Sequence, residues 1–430
     1  MTRRQLLLVF AAVLIFRLFH SRVLWVEEAY PTAAAINILA GRTLYTDFWF
    51  DKPPLFPYLY TLWGAEIGML LRVAGALYVT ICASMMARIA GTWVAGALLA
   101  FFLTFDTASA VMVLGPDLLT LAPVLGAVLL CERPLWAGAV LGIGFHFNVK
   151  ALLFLVLIPN PWALLGFAAV AAPVFAWPGY FEQVLSWGSQ YASTTFLPHP
   201  LQSGAMKTLG WLGFHAALIV AAIRGKWDRR VILWLLAASL CVIAGFRFFP
   251  RYYFHLLPPL CLLAAQGLPK FGQWRWAVVA LLVIPLIRFG PGYWRVERSK
   301  DLAMYRDARH AAQIIDENRQ PGDTLFTWGY RPEIDALTRM PGGTPFLESQ
   351  PLTGVFADRH LTEAGPVRQL AWQEHPRTAL ARTSPTFVVD GLGRYNPALA
   401  MTNYPELKEW LAKYETIAIT NGCIVYHRKR

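Results

Sequence analysis

Apolar residues run along this chain in long blocks, and the polar residues are gathered between them. Met1 to His20 opens with Arg3 and Arg4, continues apolar, and is followed by SRVLWVEE, which holds no small-x-small cleavage site. That pattern predicts an uncleaved first spanning helix with its N-terminus inside. Further apolar runs predict spans near 67–88, 91–105, 117–131, 135–147, 150–159, 161–177, 208–223, 231–246, 254–268 and 275–290, about eleven with the first. Many are short, which predicts tilting or partial re-entry. Leu55 to Gly64 is aromatic-rich and too short to cross, so it is expected to lie along the interface.

From about Tyr293 the pattern becomes mixed polar. Leu302 to Asn318 has helical periodicity, and Pro405 to Tyr414 reads as a second helix. DTLFTWG (323–329), TFVVDG (386–391), TIAIT (416–420) and CIVYHR (423–428) read as strands. Helices alternating with strands predict a small α/β domain. The expected organisation is therefore an α-helical polytopic membrane domain over 1–292, holding a functional loop at 21–66, and a soluble α/β domain over 293–430.

Composition agrees with a membrane protein: 56% of the residues are hydrophobic, mean hydropathy is +0.44, and only 15% are charged, against about 25% in an average soluble domain. The net charge of +12 comes from basic residues scattered between apolar runs, so it reads as topology and affinity for anionic lipid rather than for nucleic acid. Arg88, Arg133, the group Arg224, Lys226, Arg229 and Arg230, and then Lys270 and Arg275 fall in connections on one predicted side, while the long connection from Gly179 to Met206 has no Lys or Arg at all. The bias puts the former inside. It puts the 21–66 loop, the Gly179–Met206 connection and the C-terminal domain outside. Five cysteines without a CxxC spacing indicate neither a disulfide framework nor a zinc cluster. No GxGxxG, Walker or HExxH motif is present, which disfavours a nucleotide-dependent or zincin-type enzyme.

The chemistry concentrates at VEEAYPTAAAINILAGRTLYTDFWFDKPPL (26–55). Ionisable groups at a membrane are costly and are functional candidates by default. Glu27 and Glu28 are adjacent and so point in different directions, one free to face a reaction centre while the other favours a helix N-terminus. Asp47 repeats the acid-with-aromatics pattern. Asp51 and Lys52 precede Pro53-Pro54, which bars a helix just before it, so this lysine is expected to be held extended where it can neutralise a lipid phosphate. Snorkelling to the interface is the plainer alternative. Asp106 and Asp117 bracket the next outer loop; Asp117 follows Pro116 and could act as a helix cap. FRFFPRYYFHLLPP (246–259) offers Arg247, Arg251, Tyr253 and His255 at a membrane edge, suited to a phosphate head group or to an aromatic belt. Lys150, alone in an apolar run, stays unassigned, and His146 and His199 read as structural or solvated.

EEAY, then Gly41, Tyr45 and Asp47, then DKPPL, Asp117 and RYYFHLLPPL resemble the GT-C membrane glycosyltransferases, nearest the protein O-mannosyltransferases and lipid A aminoarabinose transferases. The likeness covers roughly the first 290 residues. It implies an inverting transfer of a single sugar from a polyprenyl-phosphate donor, with no nucleotide and no nucleic acid, to a lipid, glycan or protein acceptor outside the plasma (inner) membrane. It further implies that Glu27, where the family usually has Asp, is the general base with Glu28 beside it. Lys52 would hold the donor phosphate, and Asp117 would support the acceptor or the loop. In some relatives an acid in the position of Asp51 helps bind a metal, so a divalent cation stays open. The WWDYG signature of oligosaccharyltransferases is absent. The alternative readings are a transporter or flippase for a lipid-linked or acidic solute, and a non-catalytic scaffold.

Overall fold

The computed structural model describes residues 1–193, 199–295, 300–356, 358 and 375–429; of the Gly179–Met206 connection, 194–198 lie outside the described residues. The chain divides into two compact units. The first comprises Met1–Arg22, Gly68–Ala176 and Ala192–Val296, the second Val23–Ile67, Trp177–Tyr191 and Glu297–Arg430. The loop expected to belong with the spanning part thus falls almost wholly within the second unit. Its backbone explains why: the Trp49 N–H donates to the Pro345 carbonyl (2.9 Å), and the Arg42 guanidinium donates to the Gly342 and Thr344 carbonyls (2.8 and 2.7 Å).

The first unit is helical. Its opening helix, Arg3–Leu18, starts with a capping box between Thr2 and Gln5 and buries only Val13 and Arg17. Leu7, Leu8 and Ile15 are exposed by 58%, 63% and 58%. A helix that turns its leucines outward needs hydrocarbon around it, and the chain is an integral membrane protein. Among the described residues, three helices are long and apolar enough to cross a bilayer, Met69–Ala90, Arg229–Phe246 and Pro250–Trp294, or up to five if each of two bent pairs counts as one span. The expected count of about eleven is not reached by this measure, because local chemistry breaks the apolar runs. Pro200–Phe214 and Ala216–Ile223 meet at 80°. Gly245 and Gly272 turn with positive φ (75° and 55°), and Val149–Leu157 is a 3-10 helix opened by the Asn148 side chain.

Close backbone approach replaces bulky packing where helices pair. Pro134–Phe145 and Pro161–Ala171 meet through two glycines: a Cβ on Gly138 would stand 1.8 Å from the Ala163 carbonyl oxygen, and one on Gly166 2.0 Å from that of Leu135. This is the small-residue packing that membrane helices use. Two buried arginines fix the loop between Asp106 and Asp117. Arg17 donates to the Val111 and Met112 carbonyls (2.6 and 2.9 Å), and Arg72 to those of Met112 and His20 (3.0 and 3.2 Å).

The second unit is built on four strands: β1 (Leu325–Trp328), β2 (Phe387–Asp390), β3 (Tyr414–Ile419) and β4 (Ile424–Arg428), in the order β1-β2-β4-β3. β1 and β2 are parallel and the other pairs antiparallel. Successive side chains point to opposite faces. Phe326, Trp328 and Val388 join Leu407 and Trp410 in one cluster, while Leu325, Phe387, Val389 and Val425 join Ala308, Ala311 and Ile315 of the helix Lys300–Asn318 in another. Both faces are covered, which is why these strands read as apolar runs. The last helix is Pro405–Leu411, shorter than expected, because Tyr414 is taken as the first residue of β3.

Candidate active site

The helix Val26–Leu39 begins earlier than the sequence implied, so Glu27 and Glu28 lie in its first turn rather than in a preceding loop. Being adjacent, they part as expected: Glu28 is fully buried and Glu27 is half-buried. The helix buries Ala33, Ala34 and Ala35, which fixes the direction of that first turn. Beyond it, Asp47 Oδ2 accepts the Thr43 N–H (2.6 Å) while the Asp47 N–H returns to the Thr43 carbonyl (2.9 Å). Asp47 therefore closes a turn.

Asp51 and Lys52 form a contact of 2.6 Å, with side chains 11% and 33% exposed. Both residues lie outside any helix or strand, with a bend at Lys52, and Pro54 caps the start of the short helix Leu55–Thr61. Tyr45, itself held at φ 66°, donates its hydroxyl to the Lys52 carbonyl (2.6 Å). Gln183 bridges the segment, accepting from the Phe50 N–H (2.9 Å) and donating to the Tyr45 carbonyl (2.7 Å). Tyr30 stacks on Phe50 at 4.7 Å. Withdrawal from water alone would lower the Lys52 pKa; the Asp51 carboxylate, with smaller help from Tyr191 and Glu27, more than offsets it and holds the ammonium above its ordinary value. Glu27, Asp51 and Lys52 are thus one electrostatic group in the second unit.

Sequence reasoning missed a fourth member. Glu348 is fully buried, and Asp51 and Lys52 are among the charges that act on it. It stands in FLES, an acid between apolar and small residues with no motif around it, and a lone buried acid after a Phe-Leu pair is the only signal the sequence held.

In the first unit the acids separate. Asp117, second residue of the helix Pro116–Leu119, caps nothing with its side chain. Its carboxylate, 5% exposed, instead collects Lys150 Nζ and Asn148 Nδ2 (both 3.1 Å), His255 Nε2 (3.3 Å) and Arg251 Nε (3.6 Å). Lys150 also lies over the Tyr252 ring, 3.4 Å from its centroid. The unassigned lysine is therefore a partner of Asp117. Tyr253 faces Thr208 (2.8 Å between hydroxyls) and stacks on Trp211, and Arg247 is buried, its carbonyl accepting from Lys207 (3.2 Å). Asp106 accepts from the Thr107 N–H and stands 3.9 Å from His215 Nε2. His146 Nε2 meets the Val170 carbonyl at 2.9 Å, a structural contact, and His199 is exposed. Among the described residues no group of three or more His, Cys, Asp or Glu side chains is placed to hold a metal ion.

No protein-family model matches the chain, and no curated protein matches its sequence. Solved structures do. ArnT from Cupriavidus metallidurans bound to undecaprenyl phosphate is 13% identical, with 99% of this chain and 98% of that chain covered and a TM-score of 0.62. ArnT from the same organism in the apo state is 14% identical over 98% and 97% of the two chains, with a TM-score of 0.49. End-to-end coverage of the first structure includes the helical part and the mixed domain alike, and it gives this chain the fold of that structure.

Proposed function

We propose that this chain is an inverting glycosyltransferase that moves one sugar from a polyprenyl-phosphate donor to a lipid, glycan or protein acceptor outside the cytoplasm. In this reading it sits in the plasma (inner) membrane with its N-terminus inside and its α/β domain outside. The observation that carries the reading is the group made by Glu27, Asp51 and Lys52, in which the half-buried Glu27 carboxylate acts on a lysine ammonium that Asp51 keeps ionised. ArnT, whose fold the chain shares, was crystallised with undecaprenyl phosphate, an anionic lipid of the class such an ammonium would hold.

The chemistry follows from these groups. The acceptor hydroxyl oxygen bonds to the anomeric carbon as the bond from that carbon to the phosphate oxygen breaks. The electron pair leaves with the phosphate, whose negative charge Lys52 offsets. The hydroxyl proton passes to Glu27, the general base within the same group. Attack opposite the leaving phosphate inverts the anomeric centre.

A flippase for a lipid-linked solute has one observation in its favour, the 80° break between Pro200–Phe214 and Ala216–Ile223, since broken helices are common in transporters. One experiment separates the two. Purified protein given labelled polyprenyl-phosphate sugars and envelope acceptors should release free polyprenyl phosphate, and Glu27→Gln should stop the release while keeping the fold. Movement of intact lipid-linked sugar across vesicles, without cleavage and undiminished in Glu27→Gln, would establish the flippase instead.

A further inference from the structure

Glu348 is the buried acid that the proposed chemistry leaves unused. Its side chain is fully buried in the second unit. One carboxyl oxygen, Oε2, accepts a hydrogen bond from Gln350 Nε2, and the other, Oε1, meets no hydrogen-bond partner among the described residues. An ionised carboxylate with one oxygen buried and unmatched is among the costliest arrangements a protein holds, whereas the neutral acid loses far less.

The groups that face it come from four segments. Asp51 and Lys52 lie before the Pro-Pro step, the Tyr30 hydroxyl comes from the helix Val26–Leu39, Gln350 follows two residues on, and Asp358 lies beyond it. Asp358 is itself tied to Ser349, whose hydroxyl donates to its Oδ2 (2.5 Å). Burial first, and then the Asp51 and Asp358 carboxylates, push the Glu348 carboxyl well above the usual range; the Gln350 hydrogen bond and Lys52 oppose this less strongly.

We propose that Glu348 is a positioning residue of the donor site: by standing as a carboxylic acid rather than a carboxylate, it adds no further negative charge beside the Lys52 ammonium, which can then take a lipid-linked phosphate. The inference rests on the reading of Lys52 as the phosphate-binding lysine. Loss of the proton from Glu348 adds another negative charge beside a single ammonium already shared by Asp51 and Glu27. The phosphate is then opposed, and Lys52 is drawn toward the protein.

The test is binding of undecaprenyl phosphate to the full chain in detergent, followed from about pH 5.5 to 9 for the wild type, Glu348→Gln and Glu348→Met. The phosphate titrates alike in all three proteins, and the Lys52 ammonium and Tyr30 hydroxyl, both held above their ordinary values, keep their protons across this range, so the difference between profiles isolates position 348. Glu348→Gln keeps a neutral amide beside Gln350 and should bind within about threefold of the wild type at the acid end. As pH rises the wild type should lose at least about tenfold more affinity than Glu348→Gln, which corresponds to one pKa unit of differential interaction. Glu348→Met should share the flatter profile even if its affinity is lower throughout, which keeps the test open should the amide misfold. Folded Glu348→Gln that binds at least about tenfold more weakly than the wild type at the acid end, where both side chains are neutral, overturns the inference and leaves the Lys52 reading standing. Absence of binding by folded wild type at every pH overturns the Lys52 reading itself.

Discussion

Asp117→Ala is the sharpest perturbation of the first unit, because one carboxylate there serves four partners. It accepts from Lys150, Asn148 and His255 at 3.1 to 3.3 Å, with Arg251 at 3.6 Å, and only 5% of its side chain is exposed. Removing one member of a buried charge pair costs about 3–5 kcal/mol, since it leaves the other charge uncompensated. Lys150 and Arg251 keep 17% and 25% of their side-chain exposure, and Lys150 retains the Tyr252 ring, so part of their desolvation is relieved and we expect about 2–3 kcal/mol. For a unit of this size that is a fall in Tm of about 4–12 °C. Asp117→Asn, which keeps an acceptor oxygen but no charge, should fall about half as far. Thermal unfolding of purified protein in detergent, followed by tryptophan fluorescence, reads both. A double-mutant cycle with Lys150→Met adds the decisive comparison: with the unpaired ammonium gone, Asp117→Ala/Lys150→Met should recover about 1–2 kcal/mol relative to the sum of the single losses. A Tm within about 1 °C of wild type for Asp117→Ala, or strict additivity with Lys150→Met, would refute the assignment of Asp117 as the hub of this cluster.

Glu27→Gln should lower the rate of sugar transfer by about 10²–10⁴-fold, the usual worth of a positioned general base, with polyprenyl phosphate affinity changed far less; single-turnover kinetics with labelled donor separates the two. Burial pushes the Asp335 carboxyl up to about 7 in the folded protein, so folding retains a proton that the unfolded chain releases near pH 4. The stability of the second unit should therefore fall as pH rises between those values, by at most about 1.4 kcal/mol per pH unit, and Asp335→Asn should flatten the dependence of Tm on pH between 5 and 7. Gly138→Val should destabilise the first unit by about 3 kcal/mol or more, the upper end of overpacking costs, because its Cβ would lie 1.8 Å from the Ala163 carbonyl oxygen; the loss of monodisperse protein on size-exclusion chromatography is the check.

The apolar blocks made the membrane class legible, and the four strands of the C-terminal domain fall within a few residues of their sequence positions. Both rest on patterns a few residues wide: long apolar runs, and short runs of Val, Ile, Phe and Thr bounded by turn residues. Helix continuity was not legible in the same way. The run 117–131 holds only Asp117 and Thr120 as polar residues, yet the regular helix is assigned in two parts on either side of Thr120, and Pro200–Phe214 turns by 80° into Ala216–Ile223 at His215 with no proline at the bend. The ion pair of Asp51 with Lys52 followed from adjacency and the two prolines. The partners of Asp117 did not, since Lys150 and His255 lie 33 and 138 residues away in sequence and only the fold brings them together. The segment 23–67 joins the C-terminal part through hydrogen bonds such as Trp49 to Pro345, about three hundred residues apart, which local pattern cannot reveal. Glu348 escaped for the same reason.

The account turns on whether Lys52 holds an anionic polyprenyl head group beside Glu27. Equilibrium binding of undecaprenyl phosphate to wild type, Lys52→Ala and Lys52→Met addresses that most directly. The loss of one charge-assisted contact to a phosphate is worth about 1.5–3 kcal/mol, so both variants should bind at least about tenfold more weakly than wild type while unfolding at a similar temperature. Unchanged affinity in folded Lys52→Ala and Lys52→Met would contradict the account.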